Sequence, residues 1–397
     1  MTTRVAIVGT SAVPVGRIQA APDAPLQVLE QEIMTRLVVD AVQDAGVERR
    51  DIQSLVFTLP RPYTLQKYFH TFLVSHLRLA CTGNVMEVMG NGMTAALAFD
   101  QACNEIALGR AKVALALGVN MESAIPASEH AMSSMRTTGD VDFHSSVGFT
   151  PIAWYAMDAM RYMHEYGATR EQLAAVAVKN RYHASLNPLA QYRKPTTIDE
   201  VLAARPIVEP LGLFDVPGRS DGAACIVLAS EEVARSLGKP YAIVRGRGFC
   251  HDGSHQINEI PNDMIELASA RRASADAYAQ AGITAEDVDL AEIYAPCTII
   301  EVLVSEALGL FGRGQGAPAA LAGETRLGGR IPLSTSGGLT SRGHPAYVTS
   351  LYSYVEMADQ LFGRAGERQV ADARLGVTTG ELGNYNAALI HVLEAVR

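Results

Sequence analysis

The sequence predicts an α/β protein of two similar halves with an inserted loop region in the first. An internal repeat carries most of this reading. Val5-Ala-Ile-Val8 aligns with Tyr241-Ala-Ile-Val244 at an offset of 236 residues. Without a gap, Ala45-Gly46-Val47 then meets Ala281-Gly282-Ile283, Asp51-Ile52 meets Asp287-Val288, and Pro60 meets Pro296. Each copy reads strand, amphipathic helix, Ala-Gly stop, short loop, strand. Two copies this long imply two packed halves, because a solenoid needs many short units. Residues 112–119 add a continuous apolar run of the kind found in strands covered on both faces. Residues 120–210 have no counterpart in the second half, and we read them as an insertion over one end of the sheet, where α/β proteins bind ligands. The halves divide into 1–238 and 239–397, at Leu237-Gly-Lys-Pro240.

In the first half, residues 1–9 read as a buried strand ending in glycine, 26–45 as a helix and 51–59 as a strand. Residues 91–108 are alanine-rich and apolar nearly all round, which predicts a fully buried helix leading into the strand at 112–119. The insertion holds a methionine-rich helix at 151–167, a second helix at 169–183 and a polar loop at 186–197. Met157, Met160 and Met163 suit adaptable core or pocket lining. Residues 220–229 close the half as a turn and a buried strand. The second half gives a helix at 263–281, a strand at 288–294, a helix at 298–310 and a closing strand at 386–393. His391 on that strand reads as a satisfied strand histidine.

Composition narrows the function. With 48% hydrophobic and 19% charged residues, 397 residues suffice for two packed units. A net charge of −9 without a basic cluster argues against nucleic acid as a partner. The apolar runs are too short to cross a bilayer, and the first residues lack the pattern of a secretory leader. Five scattered cysteines (Cys81, Cys103, Cys225, Cys250, Cys297) have no metal-ligand spacing and suit a reducing cytoplasm.

The chemistry centres on Ser334-Thr-Ser-Gly-Gly-Leu-Thr-Ser-Arg-Gly-His-Pro-Ala346, which runs into a helix-compatible segment at 347–361. Pro345 suits a first helical turn, and Gly343 permits a tight entry. His344 would then face free backbone N–H groups, where an imidazole stays neutral and donates to a developing oxyanion. The plain alternative is a surface loop with an incidental histidine.

Together with Tyr166-Gly-Ala-Thr-Arg-Glu-Gln-Leu, Val178-Lys-Asn-Arg-Tyr-His-Ala-Ser-Leu-Asn-Pro188, Ser220-Asp-Gly-Ala-Ala and Asp289-Leu-Ala-Glu-Ile-Tyr294, this stretch resembles the thiolase superfamily over essentially the whole chain. Its nearest likeness is to the sterol-carrier-protein type and the bacterial lipid-transfer-protein branch. The resemblance implies two halves in a layered αβαβα arrangement and a homodimer. It also implies departures. The nucleophilic cysteine's position looks like Met89, whose thioether cannot form an acyl-thioester. Tyr294-Ala-Pro-Cys297 replaces a His-Asp-Cys-Phe motif, and Val377-Thr-Thr-Gly-Glu381 stands where the last catalytic cysteine belongs. Of the usual set, His344 alone is retained.

Tyr294 is either half-buried packing or a phenol in the place of a catalytic histidine. Cys297 is a candidate base or thioester contact. Tyr347 is a second phenol candidate. Asn91 is either a turn residue or a donor at a helix start. Gly337 and Gly338 are the candidate contacts to coenzyme A, which enters as part of the substrate and not as a covalently bound cofactor. Without a covalent acyl-enzyme, retro-aldol cleavage of a β-hydroxyacyl-CoA fits best, with His344 expected on the enolate. The resemblance implies a steroid side-chain substrate and a small partner carrying an OB-fold and a zinc ribbon. The remaining readings are a C-acyltransferase subunit of a multi-component complex and a non-catalytic CoA or lipid binder.

Overall fold

The structure, a computed structural model, describes residues 3–18, 26–58, 69–124, 126–136, 141–252 and 263–397; Pro60 of the repeat lies outside these. In the first half come β1 (Val5–Ala12), α1 (Leu26–Ala45), β2 (Ser54–Thr58), α2 (Phe69–Leu77), β3 (Val85–Val88), α3 (Thr94–Ala107) and β4 (Val113–Met121). The insertion carries α4 (Ala127–Met135), α5 (Pro151–Tyr166), α6 (Arg170–Leu186), α7 (Ile198–Leu202) and a small ribbon of β5 (Pro206–Val208) and β6 (Leu211–Gly212). Then β7 (Asp221–Ser230) and α8 (Glu231–Ser236) complete the half. The second half runs β8 (Tyr241–His251), α9 (Ala268–Ala281), β9 (Leu290–Glu292), α10 (Thr298–Ala307), α11 (Gly316–Leu321), α12 (Thr349–Leu361), β10 (Leu375–Leu382) and β11 (Ala387–Val396).

Strand pairing repeats between the halves. β2 runs parallel to β4, which is antiparallel to β7, itself antiparallel to β1. In the same way β9 is parallel to β10, β10 antiparallel to β11, and β11 antiparallel to β8. The two sets join where Ala6 and Ile7 of β1 face Ile243 and Ala242 of β8. The resulting order is β3-β2-β4-β7-β1-β8-β11-β10-β9.

Alternation along the strands sets the layers. Leu55, Phe57, Leu115 and Leu117 pack against α1, whereas Val56, Ala114 and Ala116 pack against α3. The core holding α3 also holds α12, together with Leu290 and Leu393 of the second half. Opposite, α9 and α10 cover Val377, Ile390 and Val392. The sequence is therefore outer helices, strands, α3 with α12, strands, outer helices. Small residues allow the close approach: a Cβ on Gly248 of β8 would lie 1.8 Å from the Ala273 carbonyl oxygen of α9.

Several expected elements are shorter. Leu267 (φ 48°) delays α9 to Ala268, so 263–267 are not helical. Only Leu290–Glu292 of the expected strand at 288–294 is in ladder register with β10; Tyr294 reaches β10 through the Thr379 side chain instead. The helix expected at 347 begins at Thr349; the Val348 N–H closes a turn on the Pro345 carbonyl instead. Pro345 is therefore not a first-turn residue, and His344 does not sit at the helix start. Among the described residues, no helix is long and apolar enough to cross a membrane.

Replacing Gly248 with alanine forces β8 and α9 apart. We expect a loss of about 1–3 kcal/mol, the usual scale of overpacking, read as a lower urea midpoint with secondary structure retained.

Candidate active site

Residues far apart in sequence converge on a cavity of about 210 Å³. His344, Tyr294, Cys297, Asn91 and Tyr347 all line it. The insertion contributes Glu122, His130, Ser134, Ile152 and Tyr155, so it does form part of the wall.

Tyr294 follows β9 and is held by a closed ring of hydrogen bonds. Its N–H donates to Thr379 Oγ1 (2.8 Å), and its carbonyl accepts from the Tyr385 hydroxyl (2.7 Å). Thr379 and Tyr385 close the ring at 3.0 Å, and the donor there is the threonine because the Tyr385 proton is already committed. The ring plane of Tyr294 stands at 85° to that of His344, with centroids 5.6 Å apart. Burial, reinforced by the nearby Glu381 carboxyl, pushes the Tyr294 phenol well above its ordinary value. A phenol shifted in this direction is better suited to donating a hydrogen bond than to taking a proton.

Across the ring, the His344 N–H donates to Ser220 Oγ (3.0 Å), whose own hydroxyl donates to Gln191 Oε1 (2.6 Å). His344 Nδ1 lies 2.7 Å from Thr349 Oγ1, and that hydroxyl donates to the Pro345 carbonyl (3.1 Å). Thr349 therefore accepts from Nδ1–H. This leaves the lone pair of the neutral imidazole on Nε2. A neutral ring in this tautomer can accept a proton.

At the third wall, Asn91 opens the turn before α3 with φ 48°, a conformation asparagine tolerates. Next to it, a Cβ on Gly92 would lie 2.6 Å from the Tyr294 hydroxyl and 3.0 Å from the Glu381 carbonyl oxygen. Only glycine lets these three meet. Asn91 and Gly92 bring the positive end of α3 to the cavity, which favours developing negative charge.

Three expectations need correction. Met89 is 60% exposed and lies outside the lining, because Gly90 turns the chain after β3 and Asn91 and Gly92 reach the cavity instead. Gly337 and Gly338 do not line it either: a Cβ on them would meet Ala184 and Asn180, so their place is set by close packing on α6. Met157 and Met160 face outward on α5, at 44% and 55% exposure, while Met163 packs on the core.

Cys297 is buried at the cavity. Burial, then Asp215, Asp158 and Glu381, push its thiol well above the ordinary value, so it offers a thiol contact and no thiolate. Cys81, pushed up to about 11 by burial, Cys103, Cys225 and Cys250 do not line the cavity.

Sequence reasoning missed Glu381, Tyr155 and Arg219. Glu381 is buried and lines the cavity. Burial pushes it up to about 7, against the Tyr385 and Asn384 amides and the Tyr155 hydroxyl. The signal was present, since Glu381 ends the stretch examined for a missing cysteine. Arg219 sits just before the Ser220-Asp motif and donates to the Glu122 carbonyl, while Glu122 meets His130 at 3.2 Å.

The chain matches the thiolase N-terminal domain profile over residues 5–232 and the thiolase C-terminal domain-like profile over residues 251–395. An acetyl-CoA acetyltransferase of Methanothermobacter thermautotrophicus is 30% identical over 390 residues, 98% of each chain. A steroid side-chain-cleaving aldolase of Thermomonospora curvata is 37% identical over 192 residues, 48% of this chain and 49% of its own. The solved Ltp2-ChsH2(DUF35) aldolase superposes with a TM-score of 0.82 at 27% identity, over 99% of this chain and 98% of that one.

Beneath the cavity, burial pushes Asp158 up to about 7 although Asn384 Nδ2 donates to it at 2.9 Å. The native state thus keeps a proton that the unfolded chain releases near ~3.9. Stability from this group is greatest below that value and declines as pH rises to about 7. Asp158→Asn should melt higher than the wild type at pH 8, and the advantage should vanish by pH 4.

Proposed function

This chain belongs to the thiolase superfamily, and from that premise we propose that it is a carbon–carbon lyase of the aldolase type acting on a CoA thioester. Its substrate is a β-hydroxyacyl-CoA of the steroid side-chain kind, cleaved through a thioester enolate. The observation that supports this reading is the edge-to-face contact of Tyr294 and His344, side by side in the lining of a cavity whose thiol is pushed toward its protonated form by burial. Ping-pong acyl transfer needs a sulfur that can attack. Retro-aldol cleavage needs a base for the β-hydroxyl proton and a donor for the enolate oxygen.

In the proposed step, His344 Nε2 takes the β-hydroxyl proton. The Cα–Cβ bond breaks, the β-carbon becomes a carbonyl, and the electron pair moves onto the thioester. The Tyr294 hydroxyl and the positive end of α3 hold the enolate oxygen. A phenol this far above its usual range is unsuited to the base, whereas an imidazole with its lone pair on Nε2 is suited to it. The two named aldolase relatives support the reaction class.

The full-length likeness to an acetyl-CoA acetyltransferase favours a second reading, C-acyl transfer within a multi-component complex. A homodimer and a small OB-fold, zinc-ribbon partner complete the proposal. The DUF35 protein named with the solved aldolase is the precedent for the partner. The half-buried edge strand β3 and exposed Met89 suit association with another copy.

Incubation with a panel of β-hydroxyacyl-CoA thioesters, read by mass spectrometry, should release a shorter acyl-CoA and a carbonyl product with no acylated cysteine. Tyr294→Phe should lower the rate roughly 10²–10³-fold, the usual effect of losing one oxyanion donor. An acyl adduct on Cys297, or unchanged turnover in Tyr294→Phe, would refute the mechanism and favour acyl transfer. Light scattering of the purified protein should give twice the chain mass, with a small partner retained on co-expression; full activity from a partner-free preparation would remove the partner from the proposal.

A further inference from the structure

We infer that Glu381 is a third catalytic residue, the group that returns a proton to the α-carbon of the enolate. The inference rests on the retro-aldol reading. After the Cα–Cβ bond breaks, one proton sits on His344 and one is missing from the α-carbon. Glu381 supplies it as a carboxylic acid and becomes a carboxylate. Transfer of the His344 proton to Glu381 then restores both groups, so the cycle needs no outside reductant or oxidant.

Geometry selects Glu381. Its backbone lies 3.0 Å from the point, above Gly92, that is itself 2.6 Å from the Tyr294 hydroxyl. The α-carbon of an enolate held on Tyr294 is two bonds from that oxygen, and Glu381 is one of the residues that line the same cavity. Its Oε2 accepts the Tyr385 N–H at 3.2 Å, which fixes the carboxyl at the end of β10. The groups around it are Tyr155 and Asp158 on α5, Tyr294 and Cys297 beyond β9, and Asn384 and Tyr385 in the turn after β10. None of the others replaces it. The three phenols and the thiol are held protonated by burial. Asp158 does not line the cavity and is tied to Asn384. Glu122, on another wall, meets His130. A carboxyl near 7 holds its proton for the cleavage step, yet releases it to the next cycle at neutral pH.

The test is deuterium exchange into the α-carbon of a saturated acyl-CoA in D₂O, a reaction that needs no bond cleavage. The full chain should incorporate deuterium, faster as pH rises through about 7 because the carboxylate is then the base. E381Q should exchange roughly 100-fold slower or worse and lose that pH limb, with E381D in between. Exchange by E381Q at the wild-type rate would overturn the inference, as would cleavage by the wild type without exchange. If E381Q fails to fold, the wild-type pH limb and E381D decide: a flat profile, or E381D equal to wild type, overturns it. Wild-type exchange with the β-hydroxyacyl-CoA left intact would keep Glu381 as the α-carbon group and remove the retro-aldol reading alone.

Discussion

Glu292 holds the irregular backbone on which the site depends. The stretch from Ser334 to Gly343 is buried without being a strand or a regular α-helix, so its polar groups need partners from outside. Glu292, at the end of β9, accepts the Ser336 N–H (2.9 Å) and hydroxyl (2.7 Å), and faces Arg342 at 3.7 Å. Arg342 in turn reaches the Thr349 carbonyl (3.2 Å), and Glu356 pairs with Arg368 at 3.0 Å. Two acids and two bases are thus buried together. Breaking such a set by removing one member typically costs about 3–5 kcal/mol, because the survivor is left charged and unpaired. The return is positional: Thr349, where this network ends, is also the residue that orients His344.

The same economy of protons runs through the catalytic cavity. Burial pushes the Tyr155 and Tyr294 phenols well above their ordinary value, and the ring of Thr379, Tyr385 and the Tyr294 backbone fixes where the second of them sits. Half-buried His344 is different: its Nδ1 is committed to Thr349 and its Nε2 holds the lone pair. Environments that push neighbouring groups apart in this way suit them to different acid and base roles.

Much of this was legible in the chain. The 236-residue repeat corresponds to matching strand pairings in the two halves, because sheet register follows the apolar alternation that the repeat preserves. His344, Tyr294, Cys297, Asn91 and Tyr347 come together as glycine-rich turns and strand ends suggested. What failed depended on distance-dependent contacts. Whether Gly337 is spared a side chain for a ligand or for Ala184 is a question of packing that no local sequence answers. The hydrogen bond that holds the His344 ring runs to one threonine hydroxyl five residues away, which no motif signalled. Glu381 was hidden because a glutamate reads as solvent-facing until burial is known.

The repeat builds the scaffold, and the chemistry sits where the repeat fails. α6 belongs to the unmatched insertion, yet it clamps the irregular stretch of the second half. Lys179 pairs with Glu301 at 2.8 Å and donates to the Leu333 carbonyl at 2.7 Å, and Asn187, just after the helix, donates to the Ser336 carbonyl at 2.8 Å. Both charges of the Lys179–Glu301 pair are buried, so α6 has no low-energy position away from that stretch. Symmetry alone would place two equivalent clefts, one per half. The insertion contributes to one wall and locks the loop of the opposite half against it, so an asymmetric cavity forms in which one half supplies the positive end of α3 and the other supplies Tyr294, His344 and Glu381. A duplicated fold thereby gains a site whose two sides need not resemble each other, so residues on one side can change without a matching change on the other.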